Sequence, residues 1–141
     1  MKKKLFILCL SFAVLSCDPN SDVIEPNSLI GFWNRETVYL NGVNSIEFVD
    51  FLNGGNYLEM KEDRTFSRAY DNGNWNQSNR TLSLERSVNS GMGDWTYKII
   101  DVTKDVLTLE IKLTESQYCC GFDAFDENEI ITILEIYKRQ T

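Results

Sequence analysis

The sequence predicts an all-β protein, an eight-stranded antiparallel up-and-down barrel, and three observations carry that expectation. Turn chemistry recurs: Asn41-Gly42, Asn53-Gly54 and Asn72-Gly73 are pairs that supply the positive φ of tight hairpin turns. The stretches between turns are rich in aromatic and β-branched residues. One of them, 106–113, alternates cleanly, with Leu107, Leu109, Ile111 and Leu113 on one face and Thr108, Glu110 and Lys112 on the other. Such a strand has one buried and one wet face, the mark of antiparallel sheet. Most connections are short, as in a meander, and eight sequential antiparallel strands lose their free edges by closing on themselves.

Each element follows in order. Residues 29–40 form a long first strand that ends at Asn41-Gly42. Residues 45–52 do not alternate; they read as a short capping helix, with Asn44 or Ser45 as N-cap. Short strands at 57–61 and 65–70 are split by Glu62-Asp63-Arg64. Strands at 73–76 and 81–86 are split by the polar stretch 77–80. A Gly- and Ser-containing loop, 87–93, precedes the strand 95–102. The turn Thr103-Lys104-Asp105 leads to 106–113, a longer loop follows, and 130–138 is the last strand.

Ahead of this domain stands a segment of another kind. Lys2, Lys3 and Lys4 precede an apolar run from Leu5 to Leu15, then Ser16 and Cys17, which is the anatomy of a secretory signal. A transmembrane helix needs about 20 apolar residues, and Asp18, Pro19 and Asn20 stop the run short of that. Val14-Leu15-Ser16-Cys17 resembles the lipobox of bacterial lipoprotein precursors, in which the cysteine is acylated and becomes the new N-terminus. The resemblance implies a signal peptide at 1–16, a lipidated Cys17, and palmitate-type chains that anchor the protein to a membrane. Residues 17–28, dominated by Asp, Pro, Asn, Ser and Glu, then read as the lipidated cysteine and a flexible tether. The barrel domain occupies 29–141. The expected address is the bacterial cell envelope, at the outer rather than the inner membrane.

Removing the signal takes three lysines and no acid, so the net charge moves from −7 to −10. A domain so acidic repels nucleic acid and anionic lipid headgroups, so neither is an expected partner of the domain itself, and the lipid on Cys17 must hold it to the membrane. Cys9 leaves with the signal and Cys17 is spent on lipid, so Cys119 and Cys120 remain. Adjacent Cα atoms lie about 3.8 Å apart, closer than a relaxed disulfide allows. The pair is either a strained vicinal disulfide or dithiol, or simply two small side chains. The fold must stand on its core.

Gly31-Phe32-Trp33, a Gly-x-Trp on the first strand of an eight-stranded meander, resembles the signature that opens lipocalins. Tyr57-Leu-Glu-Met-Lys-Glu-Asp-Arg-Thr-Phe66 followed by Gly73-Asn-Trp75 is similar to the bacterial lipocalin-like lipoproteins. The resemblance covers about 29–139. It implies that Trp33 closes one end of the barrel beside Gly31, with Arg139, just past the last strand, lying across its ring in a cation–π contact. The chain is shorter than typical eukaryotic lipocalins and lacks the cysteines that staple their last strand.

No histidine occurs, which removes the commonest general base and metal ligand and the Ser-His and Cys-His nucleophile arrangements. No Gly-rich phosphate loop or Cys-x-x-Cys is present. No enzymatic activity, catalytic residue, metal or cofactor is expected. Asp123, Asp126, Glu127 and Glu129 do not fit a calcium-loop spacing. The candidate ligand-binding residues are those expected to line the barrel: Trp33, Tyr39, Phe66, Trp75, Trp95, Tyr97, Leu109 and Ile111. Whether they fill the core or leave a pocket stays open at this stage. The expected function is that of a membrane-anchored lipocalin-like envelope lipoprotein binding a small hydrophobic ligand in the barrel. The alternative is a protein-interaction module, an envelope accessory subunit or inhibitor with a filled barrel, acting through the loops 87–93 and 115–128, with Phe122 and Phe125 as exposed apolar candidates.

Overall fold

The structure, a computed structural model, describes residues 24–46, 56–69, 71–87, 94–118, 125–126 and 128–141. The strands are β1 (Gly31–Leu40), β2 (Val43–Asn44), β3 (Tyr57–Met60), β4 (Thr65–Arg68), β5 (Asp71–Ser78), β6 (Thr81–Arg86), β7 (Trp95–Val102), β8 (Val106–Thr114) and β9 (Ile130–Arg139). All pairings are antiparallel between neighbours in the chain, apart from β1, which bonds β3 on one side and β9 on the other. The β1–β9 ladder closes β1 and β3–β9 into an eight-stranded up-and-down barrel. β2 is a two-residue arm laddered only to β1. Closure removes the two open edges that a flat meander would expose.

The turns follow their residues. Asn41 and Gly42 both take positive φ, 46° and 83°, as a type I′ hairpin requires. Arg64 and Asn79 take positive φ in the β3–β4 and β5–β6 turns. Asn72-Gly73, read from the sequence as a turn, instead lies inside β5, opposite Ser67 and Phe66, and Ala69 makes the turn with φ 46°. The glycine serves a different need. A Cβ on Gly73 would run into the Glu85 carbonyl oxygen, so only glycine lets β6 come this close. Of the expected capping helix, Asn44 Oδ1 accepts from the Ile46 amide at 3.2 Å; residues 47–55 lie outside the described residues.

Alternation puts Leu58, Met60, Phe66, Trp75, Leu82, Leu84, Trp95, Tyr97, Ile99, Leu107, Leu109, Ile111, Ile131 and Ile133 in one buried core. Because the strands run alternately up and down, their connections fall at two ends. The turns β3–β4, β5–β6 and β7–β8 share one end with residues 24–30 and Arg139. The ends of β1, β4, β6 and β8 and the starts of β3, β5, β7 and β9 share the far end.

Candidate functional site

The end that holds residues 24–30 is sealed. A 3-10 turn, Pro26–Ser28, carries the fully buried Leu29 under the barrel, and the indole Nε1 of Trp33 donates to the Leu29 carbonyl at 2.8 Å. The Arg139 guanidinium stands 4.0 Å from the centroid of the Trp33 ring, the contact that the resemblance to lipocalins implies. It donates to the carbonyls of Lys104 at 2.7 Å, Ile30 at 2.5 Å and Ser28 at 2.7 Å, tying the last strand to the entry of the first. Gly31 has φ 141° and lies so near that a Cβ would run into Arg139 Nη1. The second Gly-x-Trp is built alike. Trp75 donates to the Lys61 carbonyl at 3.1 Å and has the Arg64 guanidinium 4.3 Å from its ring centroid.

Above this seal the barrel holds charged groups. Arg35, Arg68 and Glu135 are buried. Arg68 Nη2 donates to Glu135 Oε1 at 2.5 Å and Arg35 Nη1 approaches the same oxygen at 3.5 Å. The Tyr137 hydroxyl donates to Glu135 Oε2 at 3.0 Å, and Arg68 Nη1 donates to the Tyr97 hydroxyl. Burial pushes the Tyr137 phenol far above its ordinary range, with the Glu135 carboxylate adding to the rise, so it is a donor at all physiological pH. Two guanidiniums approach the Trp95 ring, Arg68 at 4.7 Å and Arg86 at 4.2 Å from its centroid, and Arg86 is ion-paired with Asp71. Among the described residues the buried Nη1 of Arg86 has no hydrogen-bond partner.

A bulge in β1 explains how these groups meet. The register against β9 shifts between Arg35 and Thr37, so the inward set changes parity from Trp33 and Arg35 to Val38 and Leu40. Tyr39 is thereby turned to the outer face and left half-buried, a correction to its expected place in the lining. Trp33, Phe66, Trp75, Trp95, Tyr97, Leu109 and Ile111 are all buried in the core. Phe125 packs against that core rather than standing exposed. Cys17, Cys119, Cys120 and Phe122 lie outside the described residues.

The polar cluster was missed in the sequence, although a signal existed. Arg68 stands two residues from the inward Phe66, and Glu135 lies between the inward Ile133 and Tyr137 in the same alternation. No protein-family model, curated protein or solved structure matches this chain. Within the barrel, two guanidiniums, a carboxylate and two phenols are joined in one buried polar network beside aromatic rings.

Proposed function

We propose that this protein is a membrane-anchored, lipocalin-like lipoprotein of the bacterial envelope that binds a small, largely hydrophobic molecule inside its barrel. The polar end of that molecule would meet Arg35, Arg68 and Tyr97. The observation that carries the reading is the buried Arg35–Arg68–Glu135 cluster. Taking an ion out of water costs several kcal/mol, and apolar residues in place of a buried ion triad are often neutral or stabilising. A barrel whose interior served only to hold it together would gain little from three charges there. The sealed end supports entry from the far end, and the lipobox-like Val14-Leu15-Ser16-Cys17 supports attachment.

The test is native mass spectrometry of the protein from a bacterial host, with fatty-acid titrations followed by tryptophan fluorescence. Trp33, Trp75 and Trp95 are all buried and would report an occupant. A co-purifying mass or a saturable change, weakened at least tenfold by Arg68→Met, is expected. Neither a retained ligand nor any saturable change would overturn ligand binding and leave the interaction-module reading.

A further inference from the structure

We infer that the sealed end of the barrel faces the bilayer and that the far end is held away from it. This goes beyond ligand binding and rests on lipidation of Cys17. From residue 24 onward the chain is docked on the sealed end. Ile24 is buried and its carbonyl accepts from Gln77 Nε2 at 3.0 Å. Leu29 is fully buried, and Arg139 grips the carbonyls of Ser28 and Ile30. Only residues 18–23 separate the lipid-bearing position from this docked segment. Whatever their conformation, they reach no more than about 25 Å from Cys17 to Ile24.

That reach is to be compared with the barrel's height. β1 has 10 residues, about 33 Å of strand at the usual rise, or about 25 Å along the axis at a barrel strand's usual tilt. Laying the far end on the membrane would require the tether to run the full height outside the barrel, a span that takes its whole reach and leaves nothing to round the rim. With the sealed end down, the tether needs only a fraction of its length and keeps its conformational entropy.

Charge acts in the same direction. Among the described residues, those between strands at the far end, 41–46, 56, 69, 87, 94, 115–118, 125–126 and 128–129, include four Asp and Glu and not one Lys or Arg. The sealed-end segments, 24–30, 61–64, 79–80 and 103–105, hold four acids and four bases. Anionic headgroups act on each nearby charge with about 1 kcal/mol, so they repel the far end and tolerate the sealed one. The lipid holds the protein at the bilayer, and the sealed end lies next to its surface. Ligand exchange then takes place on the aqueous side, not directly from the lipid.

The test uses the full chain with Cys119→Ser and Cys120→Ser, carrying one dye at Lys104→Cys on the sealed end or at Asn128→Cys on the far end. Intact mass is read first, and absence of lipid on Cys17 would overturn the attachment itself. The lipidated forms are placed in phosphatidylethanolamine–phosphatidylglycerol vesicles doped with a headgroup nitroxide quencher. Dye at 104 is expected to be quenched several-fold more strongly than dye at 128. Equal or reversed quenching in protein proven to carry the lipid would overturn the orientation and leave the attachment standing.

Discussion

Arg139→Ala tests the seal on which the barrel's polarity depends. The change removes three hydrogen bonds, to the carbonyls of Lys104, Ile30 and Ser28, and the contact with Trp33 at 4.0 Å. Arg139 is half-buried, so the abandoned carbonyls are partly rehydrated and each bond contributes about 1 kcal/mol rather than the upper end of its range. The ring contact adds about 0.5–1 kcal/mol. The expected loss is about 3–4 kcal/mol, or roughly 10–15 °C in melting temperature for a domain of this size. Arg139→Lys keeps the charge but not the planar fork, so it should lose about half as much. Gly31→Ala adds a second arm. With Arg139 in place it suffers both a clash and an unfavourable φ. In the Arg139→Ala background only the backbone strain remains, so the two substitutions should couple by about 1 kcal/mol or more. Urea unfolding followed by tryptophan fluorescence gives all four corners of the cycle. An Arg139→Ala protein within about 0.5 kcal/mol of wild type, or an Arg139→Lys protein equal to it, would refute the three-point grip.

Glu135→Gln leaves Arg35 and Arg68 buried around a neutral amide and should cost about 3–5 kcal/mol, whereas Arg35→Met, Arg68→Met and Glu135→Leu together should regain most of that stability; urea midpoints check both. Tyr137→Phe should alter alkaline stability. Burial raises the folded-state pKa of Tyr137, so its contribution is complete below about pH 10, where the unfolded phenol begins to ionise, and is lost as pH rises towards the folded value, by about 1.4 kcal/mol per unit. The Phe variant should lack that slope in urea midpoints between about pH 9 and 11, and an unchanged slope would assign it to another group. Cys17→Ser should abolish any acyl mass and move the protein from the detergent phase to the aqueous phase on partitioning; retention in detergent would place the membrane attachment elsewhere.

Much of the fold was legible because strands and turns are local. The alternation of 106–113 reappears in β8, and Asn41-Gly42 turns as its chemistry requires. Asn72-Gly73 misled because a glycine that admits positive φ and a glycine that admits a close neighbour look alike in a sequence. The difference lies in Glu85, which approaches from another strand. Tyr39 misled for a related reason. Strict alternation from Trp33 carries it inward, and only the pairing with β9 shows the bulge that turns it out.

The sequence by itself determined the all-β character and the number of barrel strands, since period-two burial and turn chemistry act over a few residues, whereas the contact of Trp33 with Arg139 was only implied by a resemblance and is made across the closed barrel. Only the tertiary structure decided what the interior contains. Glu135 lies 100 positions from Arg35 and 67 from Arg68, and a charge in isolation belongs in water. Burying it becomes tolerable only when the barrel closes and brings an opposite charge and a phenol to it, a condition that no stretch of chain meets alone.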